Sequence, residues 1–223
     1  WHEHAYPHTT AVVVRGLQVA KKNGVAIVPN VLERGVTWLK SYQKEQVRLL
    51  KNADRGQEPA KQHVSNTNAL VAMVLGDAGV KDEAMMAFLY HDRNHLSVYG
   101  KAMAALLFHQ AEKHDWRDMC QRNIEQFLVR DNENQTAYLD LPNANYWWYW
   151  YGSEIEAHAY YLKLLTKTEA QSAKASELVK YLLNNRKHAT YWNSTRDTAL
   201  VIEAFADYLE ATDEHKPDLT VDV

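Results

Sequence analysis

The sequence predicts an all-α protein, an incomplete α/α toroid of about nine alternating inner and outer helices over residues 1–215. Three observations predict it. Segments of small and apolar residues at helical spacing recur along the chain. More strongly amphipathic segments lie between them. The connections are uneven in length and chemistry, which suits a ring better than a straight repeat with uniform turns.

The inner segments begin at Thr9, Asn66, Leu96, Ser153 and Arg196. Each carries Ala or Thr early and Leu later, and alanine at close-packed positions lets helix axes approach. In the second, Leu70, Met73 and Val74 share a face; in the last, Leu200, Phe205 and Leu209 nearly do. The outer segments span 28–50, 80–90, 115–130 and 169–186. They bear single apolar stripes, such as Trp38, Leu39 and Tyr42, or Leu178, Tyr181 and Leu182, with Lys, Arg, Glu and Gln elsewhere. Gly24, Gly79 and the Asn184–Asn185 pair mark helix ends where a left-handed residue is tolerated. This alternation leaves no place for a strand in the middle of the chain. A full double ring needs about twelve helices, so roughly three are expected outside the sequence.

The 223 residues, 46% of them hydrophobic, suffice for a substantial core. A net charge of -3 supplies no basic field, which argues against a nucleic-acid partner. No apolar run is long enough to cross a bilayer. The single cysteine, Cys120, excludes an internal disulfide and reads as a buried thiol on a helix. The chain opens at Trp1 rather than Met, and residues 216–223 turn to the alternation Leu219, Val221, Val223. Both features predict neighbouring domains, with the final residues leading into a strand.

The stretch from Trp192 to Leu209 closely resembles the Tyr-Trp-Asn-Ser-Thr plus Asp-Thr-Ala pattern near the end of the thioester domain in alpha-2-macroglobulins. Residues 8–39, with Arg34-Gly35 and Trp38-Leu39, are similar to a Thr-Ala-rich helix and outer helix of the large bacterial members. Residues 96–110 and Glu156 to Tyr160 resemble later inner helices, and 217–223 the exit into a β-domain. The resemblance implies a toroid within an exported, endopeptidase-inhibiting protein, in the periplasm, at the cell surface or secreted. It also implies proteases and adjoining β-domains as partners. Trp192, Asn193, Ser194, Thr195, Asp197 and Thr198 are then structural signature residues. Many members hold a thioester between a Cys and a Gln three positions on. Here Cys120 is followed by Gln121, Arg122 and Asn123, so the motif is absent.

The polar clusters hold the candidate chemistry. His2, His4 and His8, with Glu3, are spaced as zinc ligands sometimes are, although a solvated terminal loop explains them better. His91 and His95 are four apart, but Asn94-His95 reads as a boundary between helices and no third ligand is evident. Neither a metal nor a cofactor is expected. Glu154, Glu156 and His158 follow the aromatic run Tyr146, Trp147, Trp148, Tyr149, Trp150, Tyr151, an arrangement also suited to a carbohydrate-active six-hairpin barrel. Two residues apart on a helix, Glu154 and Glu156 point about 200° away from each other, so either needs a distant partner such as Asp140 or Asp197. The simpler reading has the aromatics filling the interior and Glu154 favouring the helix dipole.

Asn134-Gln135-Thr136 and Asn193-Ser194-Thr195 both match the glycosylation pattern. The second reads better as a helix start, with Asn193 or Ser194 as the cap and Asp197 in the first turn. Phosphate loops, nucleophile elbows and metal-spaced Cys pairs do not occur. The sequence therefore favours a non-enzymatic domain. A carbohydrate-active enzyme or a plain helical interaction module are the alternatives.

Overall fold

The computed structural model describes residues 5–141 and 153–213. Among them are nine α-helices, a short 3-10 turn and one two-stranded hairpin. The protein is all-α in character. The chain divides into two compact units, Trp1–Gln121 and Arg122–Val223, with the division inside one helix.

The first unit contains α1 (Pro7–Lys22), α2 (Val31–Asp54), α3 (Asn66–Asp77), α4 (Glu83–His91), α5 (Val98–Gln110) and most of α6 (His114–Glu125). Helix α1 packs on α3 and α3 on α5, while α2 and α4 lie against them and against each other. Helices two apart in sequence are thus side by side, and the intervening ones form a second layer. Sequence chemistry explains the division. The stretches Asn68–Gly76 of α3 and Val98–Phe108 of α5 are buried all round. In α2 burial is confined to a stripe through Leu32, Leu39, Val47 and Leu50. Asn66 Oδ1 accepts from Ser97 N and Oγ, both at 3.0 Å, tying the start of α3 to the start of α5. Gly100 permits that approach, since a Cβ there would stand 2.2 Å from Asn66 Oδ1.

The second unit holds β1 (Leu128–Asp131), β2 (Thr136–Leu139), α7 (Glu154–Thr168), α8 (Ala173–Asn184) and α9 (Thr195–Thr212). Helix α7 is buried all round from Ile155 to Thr166, and it packs against α8 and α9. Buried Lys163 of α7 reaches Glu203 at 2.9 Å and also Asp207, both on α9.

Several expectations require correction. The outer helix expected over 115–130 ends at Glu125, and its last residues become β1. β1 pairs antiparallel with β2, Leu128 opposite Leu139 and Asp131 opposite Thr136. The cause is the turn between them: Asp131 Oδ1 accepts from Glu133 N at 3.0 Å and Asn134 N at 3.1 Å, and Gln135 adopts φ 52°. A strand does therefore occur mid-chain. The buried stripe of α9 runs through Asp197, Leu200, Val201, Ala204 and Tyr208, while Leu209, expected on the apolar face, is 39% exposed. Helices α1 and α9 are buried on one side only, unlike α3, α5 and α7. Gly24 and Gly79 adopt φ 75° and 77°, as helix-end glycines should. Asn185, with φ -94°, instead caps α8 through its side chain, donating to Tyr181 O at 2.9 Å.

Candidate functional site

The polar residues singled out in the second unit converge where α7 and α9 begin. Both starts carry a Ser followed three residues later by an acid, Ser153 with Glu156 and Ser194 with Asp197. Ser153 Oγ accepts from Glu156 N at 3.0 Å, and Ser153 N donates to Glu156 Oε2 at 3.0 Å. At α9, Ser194 Oγ accepts from Asp197 N at 3.1 Å and donates to Asp197 Oδ2 at 2.9 Å. Asp197, only 2% exposed, also accepts from Ser153 Oγ at 2.6 Å. Arg196 closes the arrangement, with Nε and Nη2 each 3.0 Å from a Glu156 oxygen.

Trp192 braces the approach to α9. Its indole Nε1 donates to Leu182 O at 2.9 Å and its backbone N donates to Thr198 Oγ1 at 3.1 Å. Its ring meets Phe205 edge-on at 5.9 Å. Thr198 Oγ1 donates to Ser194 O at 2.8 Å. Ser194 is the cap, as expected from sequence; Asn193 and Thr195 are exposed beside it.

The three candidates Glu154, Glu156 and His158 do not form one site. Glu154 is exposed and accepts from Tyr181 Oη at 3.1 Å. Glu156 turns instead toward Arg196, and Asp197 is the second carboxylate acting on it. His158 is 0% exposed: Nδ1 donates to Glu154 O at 2.7 Å and Nε2 accepts from Leu139 N at 2.8 Å. That pairing fixes the tautomer and fastens β2 to α7. Burial holds the imidazole below its ordinary range despite the Glu154 contacts. His158 is therefore a structural lock, with both nitrogens committed. The aromatic residues Trp147 and Trp148, with the rest of 146–151, lie outside the described residues, as do 216–223.

Electrostatically the junction is unusual at one atom pair. Burial raises the Glu156 carboxyl to about 7, against the lowering effects of Arg196 and the Ser153 amide, and with a further raising contribution from Asp197. An acid near neutrality beside a second carboxylate is a pairing that proton-transfer chemistry uses. Here, however, Glu156 is only 6% exposed and both of its oxygens are bonded. Sequence reading placed Glu154, not Glu156, in the capping role and passed over Arg196. The repeated Ser-x-x-acid spacing was the signal for Glu156; nothing local announces Arg196.

The remaining clusters carry less. His2, Glu3 and His4 lie outside the described residues, and His8 lies in α1. His91 ends α4 and His95 sits in the 3-10 turn Arg93–His95, so the boundary expected between them is present. Among the described residues no group of three or more His, Cys, Asp or Glu is placed to hold a metal ion. An open groove of about 290 Å³ between α1 and α2 is lined by Tyr6, Thr9, Val13, Val14, Leu17 and Gly35 among others, with no carboxylate or imidazole. Among the described residues no helix is long and apolar enough to cross a membrane. No protein-family model matches the sequence, and no curated protein matches it.

Proposed function

We propose that the chain is the thioester-domain-like region of an alpha-2-macroglobulin-like protein, a non-enzymatic part of a device that captures endopeptidases. In this reading the two-layered helices belong to an α/α toroid, and the proteins it meets are proteases and adjoining β-domains of its own polypeptide. The location is the periplasm, the cell surface or the medium, as for an exported inhibitor. The observation that carries the reading is that the polar groups of the Trp192–Thr198 signature serve as caps and braces. Ser194, Asp197 and Thr198 hydrogen-bond within the start of α9 or to Ser153, and Trp192 is tied to Leu182. A catalytic group needs an uncommitted atom facing substrate, whereas a scaffold residue spends its polar atoms on the fold. The side-by-side packing of α1 with α3 and α3 with α5 supports a layered helical repeat in the first unit.

The protein carrying this chain, produced with all its domains, should be mixed with endopeptidases and assayed on a small chromogenic peptide and on a large protein substrate. Capture leaves cleavage of the peptide intact and abolishes cleavage of the protein. Equal cleavage of both substrates with and without it, across serine, cysteine and metalloendopeptidases, overturns the reading.

A carbohydrate-active reading has one observation in its favour, the raised Glu156 carboxyl next to Asp197. It requires hydrolysis or elimination on a panel of polysaccharides, abolished by Glu156→Gln. No turnover on the panel removes it.

A further inference from the structure

One cluster of titratable side chains in the first unit lies apart from the α7–α9 junction and joins three separate pieces of chain. His63 lies in the strap between α2 and α3, His91 is the last residue of α4, and Asp92 and His95 belong to the turn before α5. The Asp92 carboxylate is buried. Its Oδ2 accepts from Val64 N at 3.0 Å, and its Oδ1 lies 2.7 Å from His91 Nδ1. His63 Nδ1 stands 3.6 Å from Asp92 Oδ2. The other face of the cluster is a ring stack, His63 on His95, with centroids 3.7 Å apart and planes inclined by 13°.

We propose that His63, His91, His95 and Asp92 form an acid-sensitive clasp, which fastens the strap to the α4–α5 turn when the imidazoles are neutral and releases it when the stacked pair is protonated. Neutral imidazoles stack at van der Waals distance without penalty. One imidazolium at His63 is compensated by Asp92. A second, at His95, faces the first across 3.7 Å, and charges of one sign at that separation repel. Protonated His91, 2.7 Å from Oδ1, strengthens its own bond to Asp92 and leaves less of that carboxylate's charge to compensate His63.

The cations nearby are engaged with other groups. Lys61, on the same strap, gives its Nζ to Gln46 Oε1, Ser65 Oγ and Asn68 Oδ1. Arg93, beside Asp92, lies over the Tyr90 ring and donates to Tyr90 O. Gln46 from α2 and Ser65, Asn66 and Asn68 from the start of α3 are neutral. Burial pushes the Asp92 carboxyl up, but the His91 bond, the Val64 amide and the charges of His63 and His91 outweigh it and hold it low. Asp92 therefore stays ionised through the range in which imidazoles as a class gain their protons. Release of the strap exposes the Ser65 and Asn68 cap of α3, so the clasp acts on one end of the inner layer.

The test is amide hydrogen exchange at Val64 in the intact chain, corrected for intrinsic rates, near pH 7.5 and near pH 5. Wild-type protection is expected to fall about fivefold or more at the lower pH, with amides in the middle of α1 unchanged as the reference. His95→Phe keeps a stacked ring without a proton site, and its Val64 protection is expected to stay within about twofold across that range. Should that variant not fold, His63→Phe serves the same purpose. Wild-type protection that is equal at both pH values overturns the proposal. So does a ring variant that folds and still shows the full wild-type loss.

Discussion

Ser153 and Asp197, on helices separated by the whole of α8, are joined by a 2.6 Å hydrogen bond from hydroxyl to carboxylate. Ser153 is the cap of α7, and Asp197 also accepts from Ser194, the cap of α9, so a single contact couples two helix starts. The first unit has the same device in other residues, where Asn66 of α3 receives the Ser97 hydroxyl that caps α5. Side-by-side inner helices are thus registered at their N-termini by a serine bonded to a carboxylate or amide oxygen. Each serine accepts from an amide of its own helix and donates its hydroxyl across to an oxygen of the neighbour, so one side chain serves both helix starts.

Replacing Asp197 should cost more than replacing the cap itself. Ser194→Ala removes one cap acceptor and should destabilise by about 1–2 kcal/mol. Asp197→Ala removes the partner of two serine hydroxyls in a buried setting and should cost about 2–4 kcal/mol. Urea denaturation checks both. Equal midpoints for the two variants would show that the Ser153 link contributes nothing.

Glu156 should make stability fall as pH rises. Its carboxyl is raised from an ordinary 4.5 to about 7 in the folded protein, chiefly by burial. The folded state therefore holds the proton more firmly than the unfolded chain. Its stabilising contribution is full below about 4.5 and is lost as pH rises through about 7. Glu156→Gln mimics the protonated form and should flatten that slope, a difference of about 3 kcal/mol across the window. Stability of the wild type and variant measured from acid to mildly alkaline pH decides it, and parallel curves would contradict the assignment.

His158 acts in the opposite direction. Its imidazole is held below the ordinary range by burial, so the unfolded chain takes up a proton before the folded protein does. Its contribution is present above the ordinary imidazole value of 6.5 and is lost as pH falls through the lower folded value. His158→Phe leaves Leu139 N without its partner and should cost about 1–3 kcal/mol. Hydrogen exchange at Leu139 is the local readout: faster exchange there, ahead of the α9 amides, is expected. Unchanged protection at Leu139 would mean that β2 does not depend on this lock.

The residues that made the helices legible are the alanines. Ala69, Ala72, Ala102, Ala105, Ala157 and Ala159 mark α3, α5 and α7 as close-packed, and each is buried. Local composition could not show that α1 and α9 are buried on one side only, because that depends on what lies alongside. In α9, Leu209 was read into the apolar face, yet steps of four residues from Leu200 lead through Ala204 to Tyr208 and turn Leu209 outward. The hairpin was missed because residues 128–130 continue the composition of α6 without a Gly or Pro, and the turn signal is confined to Asp131–Asn134. At the site, the opposition of Glu154 and Glu156 was legible from their spacing. The meeting of Glu156 with Arg196 was not, since forty positions separate them and only tertiary packing brings them together.

Cys120 should be inert in the folded protein. It is buried in α6, and its thiol is pushed up to about 12 by burial, although Arg93 and Lys101 act to lower it. At pH 8 such a thiol is ionised only to about one part in ten thousand, and alkylation needs the thiolate. Thiol-directed reagents should therefore leave the native chain unmodified over hours and label it once in denaturing urea, read as a mass increase at Cys120. The position that would supply the acyl group in a thioester three residues on is Asn123, so methylamine should leave the mass of this chain unchanged. Rapid alkylation under native conditions would contradict the burial of α6, and methylamine incorporation at this position would require acyl chemistry that neither residue is placed to perform.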